Sequence, residues 1–158
     1  MSMIPPTESY LTFNLDNELF GINVSKVLEI LEVKPITKVP KSPSFMRGVI
    51  NLRGNILPVI DTRNKFCMAQ QAFTIDTCII VLNINTGKDS LLVGALVDSV
   101  QKVIDIAAES IQHSQSMGAI YREDFIYGIG KVAEDFIMIL DVDKVFSAEE
   151  LSVLEADN

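Results

Sequence analysis

The sequence predicts a mainly β fold built from two similar units, each curled into a small barrel. Three observations carry this: two blocks of sequence recur in the same order, short apolar runs are split by turn residues throughout, and helical patterns are scarce. In the first block Gly21 is followed by an aliphatic residue at every third position, Val24, Val27, Ile30 and Val33. Gly94, Val97, Val100, Val103 and Ile106 repeat that pattern in register, 73 residues further on. In the second block Gly48 to Phe66 lies without gaps on Gly128 to Phe146, so that the glycines, Asp61 and Asp141, and the closing phenylalanines coincide at an offset of 80. The second half therefore carries seven extra residues, around the polar segment that contains His113.

The elements follow in order. Met1 to Ser9 reads as a flexible lead with neither a basic nor an apolar signal region. Tyr10 to Leu15 alternates apolar and polar residues, turns at Asp16-Asn17-Glu18, and returns as a strand around Phe20 to Val24. Ser25 to Ile30, like Ser99 to Ile104, could be a turn or two of helix, because period three is ambiguous between states. Val49 to Leu52 and Ile56 to Ile60 flank Arg53-Gly54-Asn55 as a hairpin, in which Pro58 lacks a ladder donor and is expected to face an edge. Thr77 to Ile84, a turn at 85–89, Leu91 to Val97, Ile129 to Val132 and Phe136 to Leu140 repeat the scheme. Asp61 and Asp141 can cap short turns running to Phe66 and Phe146, and the capping-box spacing of Ser147-Ala-Glu-Glu150 opens a terminal helix. Several five-residue strands per unit favour barrels, which limit open edges. The division is then a lead at 1–9, one domain at 10–146 with subdomains at about 10–75 and 76–146, exchange of strands between them left open, and a C-terminal helix and tail at 147–158.

Composition narrows the function. The chain has 158 residues, 48% apolar, with a net charge of −8. That balance repels phosphate backbones and anionic lipid, so nucleic acid is not an expected partner. A mean hydropathy of +0.30 is high, but no apolar run approaches the roughly 20 residues a membrane helix needs, so apolar surface is expected to meet other proteins. Cys67 and Cys78, in apolar company without CxxC spacing, suit a reducing cytoplasm and no disulfide. The lone His113 sits in what reads as a solvated loop, which removes His-based catalysis and metal sites. Asp61, Asp98 and Asp141 form no convincing carboxylate set, each ending an apolar run where Asp caps or turns the chain. Gly128-Ile129-Gly130 lacks the third glycine of a dinucleotide fingerprint. No catalytic residue, metal or cofactor is expected.

The blocks Phe20-Gly21-Ile22, Val27-Leu28-Glu29-Ile30, Gly48-Val-Ile-Asn-Leu-Arg-Gly54 and Pro58-Val-Ile-Asp-Thr-Arg63 resemble the CheW family of bacterial chemotaxis coupling proteins. Val93-Gly94, Val97-Asp98-Ser99-Val100 and Gly128 to Lys131 agree, and the likeness spans about Tyr10 to Phe146; Thr62 stands where the family more often has leucine. The resemblance implies two SH3-like five-stranded β-barrel subdomains around a shared core, and an adaptor without catalysis. Its partners would be the regulatory domain of the histidine kinase CheA and the cytoplasmic tips of methyl-accepting chemoreceptors, so that the protein is cytoplasmic but recruited to membrane-associated arrays. The alternative is a CheW-like coupler of a pilus or other non-flagellar pathway. Residue by residue, it implies a partly buried ion pair of Glu29 with Arg53. A receptor cleft between the units is expected at Val27, Ile30, Val33, Gly94 and Val97. A kinase-binding edge is expected at Ile36, Thr37, Lys38, Val39 and Gly48, in a stretch that Pro35, Pro40 and Pro43 keep from pairing fully as a central strand.

Overall fold

A computed structural model describes residues 7–85, 89–113 and 125–146. Along them run β1 (Thr7–Leu15), β2 (Glu18–Asn23), a 3-10 turn (Val24–Lys26), β3 (Val27–Glu32), β4 (Met46–Leu52), β5 (Asn55–Asp61) and the short helix α1 (Thr62–Lys65). Then come β6 (Cys78–Asn85), β7 (Ser90–Val97), β8 (Ser99–Ala107), a second 3-10 turn (Ala108–Ser110), β9 (Ile111–His113), β10 (Ile126–Val132), β11 (Asp135–Leu140) and α2 (Val142–Val145). Among the described residues the strands form two sheets, ordered β8-β1-β2-β11-β10-β9 and β3-β6-β7-β5-β4. The terminal helix expected at 147–158 lies outside the described residues. The first strand begins at Thr7, inside the segment expected to be a lead.

The two orders are the same once the repeat is applied: β8, β1, β2, β11 and β10 of one sheet answer to β3, β6, β7, β5 and β4 of the other. The sixth strand, β9, comes from the inserted segment and makes one sheet larger than the five strands expected. Neither sheet keeps to one half of the chain. After β2 and again after β7 the chain crosses to the other sheet, and each sheet is joined by a parallel pair from different halves, β2 with β11 (Gly21 opposite Ile139) and β7 with β5 (Gly94 opposite Val59). A boundary near residues 75 and 76 therefore separates the sequence repeats but not the sheets.

Both faces of each sheet are apolar, which produces three clusters. Phe13, Phe20 and Leu15 of the first sheet meet Ile60, Ile80, Leu82 and Ala95 of the second in a shared core, closed below by Val142, Val145 and Phe146 of the α2 region. The rings of Phe13, Phe20, Phe66 and Phe125 stack in succession at 5.8, 5.8 and 5.5 Å. On its far side each sheet curls over a core of its own. Leu31 and Val33 near one edge join Ile50 and Leu52 at the other, and Ile104 and Ile106 of β8 join Ile111 of β9.

Three local features account for sequence patterns that were ambiguous or misread. The period-three runs are strands after a single turn, with one bulge each. Val27 pairs with Leu82 and Ile30 with Ile80, while Val100 pairs with Phe13 and Val103 with Leu11, so three steps on the bulged strand match two on its partner. A bulge adds one residue to a face's spacing, turning period two into three. The tight turns at Asp16-Asn17 and Arg53-Gly54 both hold left-handed φ at their two central residues, 52° and 66° in one and 50° and 87° in the other, as two-residue hairpins require. Pro58 is not at a sheet edge. Val49, its partner across β4 and β5, directs its own N–H and C=O to Thr37, so Pro58 turns its missing donor toward β7, where pairing begins only at Val59.

Candidate partner-binding surfaces

The shared core is open at one end. Its two lips are the outer strands β3 and β8, neither of which pairs on its outward side among the described residues. Val27 and Val100 pack partly against the core, and Ile30 and Val103, on the same faces, are 45% and 55% exposed. These four residues, two on the core-facing side of each outer strand, make the apolar margin of the shared core, its seam. Val27 and Ile30 were expected there. Val100 and Val103 were not, although the 73-residue offset of the repeat maps them directly onto Val27 and Ile30.

The other three residues expected in this cleft lie elsewhere. Val33 falls an odd number of residues after Ile30 and so packs on the opposite face, in the second sheet's own core. Gly94 is buried on that same side, where an added Cβ would lie 2.7 Å from Cγ2 of Ile79. Val97 is fully buried within the shared core rather than at its mouth. Gly21 occupies the equivalent place in the first sheet, against Ile137.

The stretch expected as a second contact edge runs beside β4. Thr37 makes a single bridge to Val49, with N–H···O bonds of 2.9 Å in both directions, and Gly48 is buried beneath it. Ile36 is not a free surface side chain, because it packs on the second sheet's core. Thr37 and Lys38 are exposed and Val39 is half-buried. Ile56, 74% exposed at the start of β5, adds the largest apolar contribution and was not anticipated. Its signal was its place opposite the polar Asn51 in the hairpin. The repeat duplicates this edge on the other sheet, where β9 lies against β10 as Thr37 lies against β4, and Phe136, 65% exposed, stands in for Ile56. His113 closes that strand rather than lying in a loop, with its ring edge-on to Tyr127 at 4.8 Å.

The sequence model of the CheW-like domain matches residues 9–150. The chain belongs to the CheW-like family. It is 34% identical over 148 residues to the chemotaxis protein CheW of Klebsiella aerogenes, covering 94% of this chain and 87% of that one. It is 30% identical to the chemotaxis protein CheW of Thermotoga maritima, covering 92% and 90%. The crystal structure of the scaffolding protein TtCheW from Thermoanaerobacter tengcongensis superposes with a TM-score of 0.78 at 34% identity, covering 90% of this chain and 93% of that one. A chemotaxis scaffold is the function this membership carries.

In this CheW-like chain the Glu29–Arg53 pair joins β3 to the β4–β5 turn. Arg53 donates through both terminal nitrogens to the two Glu29 oxygens at 3.1 and 2.8 Å. The hydrogen bond from Arg53 holds the Glu29 carboxyl below its usual range, with burial opposing it and the Arg53 charge assisting. The two halves of the pair differ: the Arg53 side chain is 69% exposed and that of Glu29 28%, so the attraction is largely screened by water on the arginine side. Glu29→Gln should therefore melt close to the parent in a calorimetric scan. A loss of many degrees would show that the pair holds the fold.

The three aspartates have structural partners. Asp61 caps α1, accepting from the Asn64 amide at 3.2 Å, and lies 3.5 Å from Arg47. Asp141 precedes α2 but, unlike Asp61, makes no capping bond through its carboxylate; its carbonyl accepts from the Lys144 and Val145 amides. Asp98 accepts from Nε and Nη2 of the buried Arg63 at 2.8 and 2.7 Å and from the Asp16 amide at 2.8 Å. The Arg63 bonds hold the Asp98 carboxyl below the ordinary carboxylate range, burial works against them, and the Asp16 amide assists. A carboxyl depressed in the folded state binds its proton more readily when unfolded, so its stabilisation is present above its unfolded value of about 3.9 and is lost as pH falls through the folded one. Urea titrations between about pH 5 and 3 should show a steeper loss for the parent than for Asp98→Asn. Parallel curves would remove Asp98 from the acid response. Cys67 is exposed on a left-handed turn after α1, while burial raises the thiol pKa of the half-buried Cys78. Among the described residues no helix is long and apolar enough to cross a membrane.

Proposed function

We propose that this chain couples the cytoplasmic tips of chemoreceptors to the regulatory domain of the histidine kinase CheA, without chemistry of its own. The observation that supports this best is the apolar margin of the shared core, where Val27 and Ile30 of β3 and Val100 and Val103 of β8 lie on the core-facing sides of the two outer strands and are only partly covered. An antiparallel helical hairpin such as a receptor tip presents an apolar stripe of the kind that docks in such a groove. The kinase domain, built like this chain, docks on the β4 edge at Thr37, Lys38, Val39 and Ile56, and the matching edge around β9 and Phe136 gives the adaptor a second place in a ring. The chain then reaches the membrane through its receptors. The carboxylates of Asp61 and Asp98 are engaged in a cap and an ion pair, which suits a scaffold better than an acid–base catalyst.

The test is a pair of titrations. Val103→Asp and Ile30→Asp place a charge on each lip at exposed positions, and both should abolish binding of a receptor-tip fragment while the kinase regulatory domain still binds and circular dichroism is unchanged. Undiminished receptor binding by both variants would refute the seam as the receptor site.

A further inference from the structure

Each lip of the seam begins immediately after the chain has crossed from one sheet to the other, and each crossing is pinned by an ion pair from a short helix. Before β8, Asp98 is held by Arg63 of α1. Before β3, Lys26 is held by Asp143 of α2 at 2.8 Å. Arg63 and Asp143 are 80 residues apart and so occupy the same position of the repeat, with opposite charge. Each also gathers the hairpin beside the crossing: Asp16 of the β1–β2 turn lies 3.7 Å from Arg63 and donates its amide to Asp98, and Asn85 at the end of β6 donates its amide to Asp143 at 2.9 Å. The two clasps differ in strength. Arg63 has a side chain only 10% exposed and is further fixed by the Ala69 carbonyl at 2.7 Å and by the Gln71 side chain, whereas Lys26 makes one contact near the surface.

We infer that these two ion pairs are positioning elements for the groove, each setting the place of one lip and together its width. A charged clasp at a chain crossing fixes the first residue of the strand that follows. Val27 comes directly after Lys26, and Val100 two residues after Asp98, so a shift of either crossing moves an apolar contact of the seam without touching the β4 edge. The clasp at Asp98, part-buried and bidentate, dominates, because Arg63 couples through two parallel bonds and Lys26 through one. This rests on the reading of the seam as a receptor groove.

The experiment uses the whole chain as Asp98→Asn, Lys26→Gln and the transposed double variant Lys26→Asp/Asp143→Lys, and reads two quantities. Amide hydrogen exchange in the isolated chain should quicken over Ser99–Val103 in Asp98→Asn and over Val27–Ile30 in Lys26→Gln, with the transposed variant closer to the parent. Titration with a receptor-tip fragment should weaken by about tenfold for Asp98→Asn and less for Lys26→Gln, with kinase-domain affinity unchanged. A purely structural role would lower both affinities together, in proportion to the folded fraction, and transposition would not rescue it. Parent-like exchange at both lips, or equal losses for both partners, overturns the inference; Lys26→Gln, at the more exposed clasp, decides it if Asp98→Asn does not fold. A parent chain that binds no receptor tip refutes the coupling reading instead, and the exchange rates then decide the clasps alone.

Discussion

Replacing Gly48 with alanine is expected to be among the most damaging single changes in this chain, and to act at the β4 edge first. Gly48 sits in the bulge of β4 with φ at 150°, a region that side-chain-bearing residues rarely adopt, and an added Cβ would overlap the Thr37 carbonyl oxygen and lie 2.7 Å from Cγ2 of Ile36. Backbone strain of this kind costs about 1–3 kcal/mol and overpacking a further 1–3 or so. Relief requires pushing Thr37 outward, which breaks both of its bonds to Val49. Thermal melts and kinase-domain binding should both fall, with receptor-tip binding less affected. At Gly128, the matching residue of the other sheet, an added Cβ would lie 2.7 Å from Cγ2 of Ile111 and 2.8 Å from Gln112 O, but the backbone has no such φ, so Gly128→Ala should cost less. Parent-like melting of Gly48→Ala would contradict the strain argument.

Gly94→Ala is the second large effect, and it should report on stability rather than on receptor contact. The new methyl would lie 2.7 Å from Ile79 Cγ2 and 3.3 Å from Leu57 Cδ2, both in fully buried side chains, where overpacking costs about 1–3 kcal/mol. In a chain of this size that lowers the melting temperature by about 2–4 °C per kcal/mol. Gly21→Ala faces a looser 3.1 Å approach to Ile137 Cγ2 and should cost less. Both partners should lose affinity only as far as folded protein is lost. A selective loss of receptor binding by Gly94→Ala at normal stability would return this glycine to the groove.

The duplication was legible because glycine, Asp and Phe positions are dictated by local geometry, bulge, cap and core, that both halves must meet. The exchange of strands was not legible. β2 and β7 carry the same pattern, as do β5 and β11, so nothing in either block tells which copy is its parallel partner. Val27 and Ile30 could be assigned to the seam, but Val33, Gly94 and Val97 could not be excluded from it. One bulge preserves a face across three residues, and the next step without a bulge reverses it, which a period-three pattern does not reveal. Ile36 looked exposed because Pro35, Pro40 and Pro43 break its stretch, yet a single bridge from Thr37 is enough to hold it against the core.

The crossing of the chain between sheets also dictates how it must be made. Thr7 pairs with Ala107, and Gly21 with Ile139, so the first strands wait for partners that emerge from the ribosome a hundred residues or so later. At roughly 5–20 residues per second that is a delay of about 5–25 seconds, during which the whole second sheet, β3 to β7, can form while β1 and β2 have only each other. Pairing over such separations is intrinsically slow, since loop closure precedes any reward from contacts. Two fragments cut between the repeats should therefore remain unstructured apart and assemble only on mixing, with a rate that depends on their concentrations.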